Sequence, residues 1–166
     1  EDIRRIVGTS TGEQTHLPVL VRVRQRLPLQ LLTVVGGLAT AFILRLAMPG
    51  VGGESGSLNS DVLRYIPIII GLAGNVGVQA STILVRAFAT GEVTPDRESS
   101  VFVSEVLTGL LIGMICGVGT ALISGTMESH LENNAVFGLT VGHSVSLAVA
   151  WASVLGSSIR MFCRRM

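Results

Sequence analysis

The chain has 166 residues, a length that suits one small soluble domain, but its composition indicates a membrane protein. Its mean hydropathy is +0.62, 48% of its residues are hydrophobic and only 14% are charged. The formal net charge of +1 argues against a nucleic-acid partner, because such partners require a strongly basic surface. The 20 glycines are typical of helices whose backbones pack closely together in lipid.

Four apolar segments follow a polar start. Residues 1–26 are mixed in character and predict a cytosolic connecting segment with amphipathic character. The remainder, residues 27–166, is predicted to be a transmembrane domain, since each apolar segment exceeds the roughly 20 residues that a spanning helix needs. The predicted spans are about 27–48, 65–87, 101–124 and 135–159. The sequence therefore predicts an all-α membrane protein, a helical bundle of about four transmembrane helices in the cell membrane, in contact with lipid.

The distribution of arginine predicts the topology. Basic residues lie before the first span, between the second and third spans, and after the fourth. These arginines are Arg22, Arg24, Arg26, Arg86, Arg97, Arg160, Arg164 and Arg165. The connections at 50–63 and 125–134 carry mostly acids. Because arginine and lysine concentrate on the cytoplasmic side, the N- and C-termini are both predicted to be cytoplasmic.

The second span contains polar residues at membrane depth but no charge between Tyr65 and Val85. Polar groups at that depth usually face a bundle interior or a wet cavity. Positions spaced by 4, 3 and 4 residues form one stripe on a helix. The stripe consists of Gly71, Asn75, Val78 and Thr82, with Gly74 and Gln79 on its shoulders. We therefore predict that this helix lines an ion path.

The stripe offers neutral oxygens, which can hydrogen-bond the water shell of an ion without binding the ion tightly. That property suits Mg²⁺, because Mg²⁺ dehydrates reluctantly and keeps several waters. Asn75 and Thr82 are the predicted contacts, through water, whereas Val78 contributes only its backbone. The alternative is that Asn75 and Gln79 join helices by interhelical hydrogen bonds, with Gln79 the better candidate for that role.

The segment from Pro67 to Glu92 resembles the signature of the second transmembrane helix of the MgtE family of magnesium transporter-channels. The matching residues are Pro67, Gly71, Gly74, Asn75, Gly77, Gln79, Thr82, Val85, Arg86, Gly91 and Glu92. The resemblance implies that Mg²⁺ is transported and that the second helix lines a pore at the axis of a homodimer. It also implies a cytosolic sensor before the membrane domain and a fifth helix with an intramembrane aspartate. We expect this chain to lack both and to be an incomplete transporter.

Three acidic residues are further candidates. Glu1 and Asp2 resemble the family's acidic run, where cytosolic Mg²⁺ bridges acids and closes the gate; a solvated face is the alternative. Glu105 lies about one turn into the third span. It is either an interfacial carboxylate favoured by the helix dipole or a cation-attracting group at the mouth of the pore.

Other functions fit the sequence less well. An intramembrane enzyme is disfavoured because no H-E-x-x-H motif, paired intramembrane aspartate or G-x-S-x-G elbow is present. A transporter of another divalent cation such as Mn²⁺ stays open, although no His/Cys cluster favours soft metals. A structural membrane subunit is the remaining alternative, and the concentration of polar residues on one stripe argues against it.

The predicted topology can be tested with single cysteines placed in each connection and an impermeant thiol reagent. We expect residues 50–63 and 125–134 to react in intact cells and Thr94→Cys to react only after permeabilisation. Labelling of Thr94→Cys from outside intact cells would overturn the topology.

Overall fold

Four long helices make up the described part of the chain. The computed structural model describes residues 17–47, 62–91, 93, 97–127 and 133–165. The helices are α1 (Val19–Ala47), α2 (Ile66–Ala89), α3 (Glu98–Met127) and α4 (Asn134–Arg165). Each contains a segment long and apolar enough to cross a membrane, and no strand occurs within the described ranges. The predicted all-α bundle with about four membrane spans is confirmed.

The first helix begins earlier than its predicted span, at Val19 rather than at residue 27. The carbonyl of Pro18 accepts hydrogen bonds from the backbone N–H groups of Val21 and Arg22, so the chain turns into a helix directly after the proline. Residues 19–26, predicted to belong to the connecting segment, are therefore helical. The physical reason is tertiary, because two of their arginines are buried against α3.

The α3 and α4 backbones meet at glycines. A Cβ atom added at Gly142 would lie 2.5 Å from the carbonyl oxygen of Gly117, and one added at Gly113 would lie 3.0 Å from that of Ser146. The Ser146 hydroxyl lies within hydrogen-bond distance of the Gly113 carbonyl, 3.1 Å away on the opposite helix. Glycines four residues apart, Gly113 and Gly117 in α3 and Gly138 and Gly142 in α4, thus permit the close packing of these two helices.

Glycines also bring α2 against both neighbours. A Cβ at Gly156 of α4 would lie 2.5 Å from the carbonyl oxygen of Gly77. On the other side of α2, a Cβ added at Gly37 of α1 would lie 2.5 Å from the Cβ atom of Ile68. The core forms between these contacts from apolar side chains of all four helices. Its fully buried members include Ile68, Leu72, Val76, Ile112, Phe137, Val141, Val145 and Val149.

The first helix is attached to α3 at both of its ends. Near its start, arginines of α1 pair with a carboxylate of α3. Near its end, Nη1 of Arg45 donates a hydrogen bond to the carbonyl of Met127, 2.5 Å away. That carbonyl belongs to the last turn of α3, where backbone acceptors have no partner within the helix. Arg45 therefore caps the C-terminus of α3.

The glycine contact between α3 and α4 predicts that a glycine-to-alanine substitution will destabilise the bundle at the contact and not at an open site on the same pair of helices. Gly142→Ala should lower the apparent midpoint of thermal unfolding in detergent, because its Cβ meets backbone that cannot move aside; overpacking costs about 1–3 kcal/mol. The matched control is Gly119→Ala on α3, where an added Cβ meets nothing within 4 Å. Equal midpoints for the two variants would contradict this packing.

Candidate functional site

The polar stripe of α2 divides between two directions. Ile70, Gly74, Val78 and Thr82 follow one another at four-residue intervals and are all exposed on the single chain. We call these four residues the outward row. They face away from the core because the opposite side of α2 buries Ile68, Leu72, Val76 and Ala80.

Gly71 and Asn75 lie on the flank of α2 that faces α1, and both are half-buried. The Nδ2 of Asn75 donates a hydrogen bond to Oγ1 of Thr33, 2.7 Å away. One turn earlier, a Cβ added at Gly71 would lie 3.2 Å from the methyl group of Thr33. The absence of a side chain at Gly71 therefore lets Thr33 approach Asn75.

Gln79 is turned inward and is only 4% exposed. Its Oε1 accepts a hydrogen bond of 3.2 Å from Nε2 of Gln30, which is fully buried on α1. This is the interhelical hydrogen bond that the alternative interpretation of the sequence gave to Gln79. The predicted stripe and its shoulders are thus divided three ways. The outward row includes Gly74, Val78 and Thr82. Beside this row lie Gly71 and Asn75, and Gln79 lies on the buried side of α2.

Glu105 occupies a different environment from a solvated carboxylate at a helix start. Since α3 begins at Glu98, Glu105 lies in its second turn, and it is completely buried. Its carboxylate accepts from Nη1 of Arg22 at 2.6 Å and from Nη2 of Arg26 at 3.0 Å. The guanidinium of Arg22 also contacts the hydroxyl of Ser104. The ion pairs replace the solvated environment expected of Glu105, and its role at a pore mouth, which stays a prediction, requires the arginines to release it.

The sequence interpretation missed the polar row on α1. Arg22, Arg26, Gln30 and Thr33 follow at intervals of four, four and three residues, so they share one helix face. Each makes a hydrogen bond to a side chain of α2 or α3. The spacing is a usable signal, but Arg22, Arg24 and Arg26 entered the sequence interpretation only as indicators of topology. Of these three arginines only Arg24 is exposed.

The oxygen atoms that an ion would meet on the α2 face are all uncharged. Among the described residues, no three or more His, Cys, Asp or Glu side chains gather as a metal site would require. Glu1 and Asp2, the predicted regulatory contacts, lie outside the described residues. An ion on the α2 face would therefore meet amide, hydroxyl and backbone oxygens, which hydrogen-bond a hydration shell but bind a bare dication weakly.

Comparison with known proteins identifies the family of the chain. Residues 66–166 match the MgtE family, described as divalent cation transporters. The chain belongs to the MgtE family. It is 26% identical over 166 residues to the magnesium transporter MgtE of Enterococcus faecalis, covering 99% of this chain and 34% of that protein. To the magnesium transporter MgtE of Thermus thermophilus it is 29% identical over 102 residues, covering 61% of this chain and 22% of that protein.

A third relative, the magnesium transporter MgtE of Bacillus subtilis, is 25% identical over 126 residues, 70% of this chain and 27% of that protein. The chain thus spans about a third or less of the length of the curated relatives it matches. No solved structure matches it. The resemblance found in residues 67–92 is confirmed, and the protein is a multi-pass membrane protein of a divalent cation transporter family.

The buried cluster of Arg22, Arg26 and Glu105 generates a stability prediction. Glu105→Leu should lower the free energy of unfolding by about 3–5 kcal/mol, because it leaves two buried guanidinium groups without their counter-charge. The readout is the apparent midpoint of thermal unfolding of purified protein in detergent.

The matched control for Glu105→Leu removes the charges as well. The triple variant Arg22→Met, Arg26→Met, Glu105→Leu should recover most of the lost stability, since apolar replacements of a buried ionic cluster are often neutral. A single variant as stable as the native protein would show that the carboxylate does not neutralise the arginines.

Proposed function

We propose that this chain is the part of a magnesium transporter through which hydrated Mg²⁺ crosses the membrane, and that α2 lines the path. The observation that carries the proposal is the composition of the α2 face. Gly74 and Thr82 are exposed and Asn75 is half-exposed, on a helix that carries no charge from Ile66 to Val85. The family's description as divalent cation transporters and the names of the curated relatives support the same ion class.

A second copy of the chain would complete the path. The outward row combines polar atoms with exposed apolar side chains, Ile70 at 66% and Val78 at 65%. Polar groups at this depth are unfavourable against lipid and require a protein or water neighbour. One helix with one polar face cannot enclose a channel, whereas two copies about a twofold axis can, and twofold pairing is the commonest symmetry of oligomers. We therefore include a homodimer with α2 at the axis.

The proposed chemistry is recognition of the hydration shell. The carboxamide oxygen of Asn75, the hydroxyl of Thr82 and the backbone near Gly71 and Gly74 would accept hydrogen bonds from waters bound to Mg²⁺. Contacts of this kind release an ion quickly, as conduction requires. Gly74 keeps the path wide, because it has no side chain and an added Cβ would meet nothing within 4 Å in the chain.

Two further groups belong to the proposal. Glu1 and Asp2 would bind cytosolic Mg²⁺ as a regulatory ion. Glu105 would attract cations to the mouth of the path when Arg22 or Arg26 moves away from it. Glu1 and Asp2 lie outside the described residues, and the role of Glu105 requires a conformation other than the one described, so both roles are secondary to the α2 face.

Another divalent ion is the second candidate, because the family's description covers divalent cations in general. Mn²⁺ is the best competitor, since it accepts the same oxygen ligands as Mg²⁺. Softer ions such as Zn²⁺ are disfavoured by the lack of a His/Cys cluster among the residues described. Uptake of Mg²⁺ with increasing Mn²⁺ as competitor separates the two assignments.

Asn75→Leu tests the proposed path in the complete gene product. It should reduce Mg²⁺ uptake into liposomes about tenfold or more, because an apolar group would replace an oxygen that hydrogen-bonds the hydrated ion. Protein abundance and dimer mass should stay unchanged, and the free energy of unfolding should fall by no more than one interhelical hydrogen bond contributes, about 0.5–1.5 kcal/mol.

The matched control for Asn75→Leu is Thr140→Leu, an exposed site on α4 whose hydroxyl bonds only the Val136 carbonyl of its own helix. This variant should transport normally. Normal uptake by a well-folded Asn75→Leu protein would show that Asn75 only joins α2 to α1.

A further inference from the structure

Thr33 is the α1 side chain that contacts the polar flank of α2. Its Oγ1 lies 2.7 Å from Nδ2 of Asn75, and its methyl group lies against Gly71 one turn earlier. Both Thr33 and Asn75 are half-buried, so the pair lies at the edge of the bundle and not in its core. The hydrogen bond therefore joins α1 to the residue that the proposed function places on the ion path.

The hydroxyl of Thr33 has a fixed direction. Oγ1 donates its single proton to the carbonyl of Leu29, four residues earlier on α1, at 3.1 Å. A hydroxyl carries one donor and two acceptor sites. With the proton committed to Leu29, Thr33 can only accept a hydrogen bond from the side chain of Asn75.

This direction determines how the carboxamide of Asn75 is turned. The amide has one face that donates, the NH₂ group, and one that accepts, the oxygen Oδ1. Since Thr33 can only accept, the NH₂ group must point at α1. The oxygen then points away from Thr33, and it accepts no hydrogen bond from any residue in the described ranges.

We infer that Thr33 is a positioning residue that sets the polarity of the ion path by holding the Asn75 oxygen, and not its NH₂ group, toward the permeating ion. The inference rests on the proposed function of α2. Waters bound to a cation point their hydrogens outward, so they need acceptors on the wall. An NH₂ group in the same place would repel them. The residue that orients the Asn75 amide, Thr33, belongs to α1 and lies outside the proposed path.

Without the Thr33 hydroxyl, the Asn75 amide would not be held in one orientation. The terminal torsion of an asparagine side chain is broad and roughly two-fold, so a free amide populates both orientations. The neighbouring pair of Gln30 and Gln79 differs, since both of its side chains are almost fully buried and serve to join the helices. Two side-chain hydrogen bonds join α1 to α2 among the described residues. Of these two, only the Thr33–Asn75 bond leaves an acceptor, the Asn75 oxygen, on the partly exposed face of α2.

The test uses Thr33→Val in the complete gene product, reconstituted in liposomes. Valine keeps the shape of threonine and removes the hydroxyl, and with it both the acceptor for Asn75 and the hydrogen bond to the Leu29 carbonyl. We expect the apparent KM for Mg²⁺ to rise about threefold to tenfold, and Mg²⁺ uptake relative to Na⁺ uptake to fall. Thr33→Ser keeps the hydroxyl and should restore both values to within about twofold of the native protein. Thr33→Ala provides a second variant that lacks the acceptor.

Thr40→Val is the matched control. Thr40 lies on the same helix and makes the same kind of bond, from its hydroxyl to the carbonyl of Gly36 at 2.9 Å, but it is exposed. Its substitution should leave KM and selectivity unchanged. A purely structural role for Thr33 would instead lower the unfolding midpoint of Thr33→Val and leave KM unchanged, which would overturn the inference.

Asn75→Leu, measured in parallel, separates this inference from the function on which it rests. Loss of uptake in Asn75→Leu together with native KM and selectivity in both Thr33→Val and Thr33→Ala would refute the positioning role alone. Native uptake in Asn75→Leu would refute the path along α2 and the positioning role together. A raised KM in Thr33→Val and Thr33→Ala, restored by Thr33→Ser, would support both.

Discussion

Close approach of helix backbones is the constraint on which this bundle depends. Lipid tails are as apolar as leucine, so burying apolar side chains gives little drive for one membrane helix to join another. Contact between backbones must supply the attraction, and glycine permits it. Gly117 and Gly142 bring α3 and α4 together, and Gly77 and Gly156 bring α2 to the same α4. The direction in which the α2 polar face points follows from these contacts, because they fix which side of α2 is buried.

Once α2, α3 and α4 are packed, α1 adds the polar contacts. Arg22 and Arg26 meet Glu105 on α3, while Gln30 and Thr33 meet Gln79 and Asn75 on α2. Polar partners of this kind are directional, whereas apolar packing tolerates rotation and sliding. The polar row on α1 therefore sets the register of α1 against two helices, and it orients side chains that belong to the candidate path.

The number of helices and their membrane character could be predicted from the sequence, because each span is identified from the hydropathy and length of its own segment, without knowledge of its neighbours. The α2 signature could also be identified, since glycine, asparagine and glutamine at fixed spacing are rare in an apolar helix. The environment of Glu105 could not, because it depends on arginines about 80 positions away in the sequence. For the same reason the partners of Asn75 and Gln79 could not be predicted, because Thr33 and Gln30 lie 42 and 49 positions away from them. Their separate neighbours on α1 turn one inward and leave the other at the edge.

The two attachments of α1 to α3 restrict how α1 can move relative to α3. Arg22 and Arg45 are separated by 23 helical residues, or roughly 35 Å at the rise of an α-helix. That distance exceeds the roughly 30 Å thickness of the hydrocarbon core. The bonds to Glu105 and to the Met127 carbonyl are therefore separated by more than the thickness of the hydrocarbon core, and they hold α1 to α3 at both of its ends. Tilting α1 away from α3 would require one of these attachments to break, so release of Glu105 by its arginines is the step that would let α1 move independently of α3.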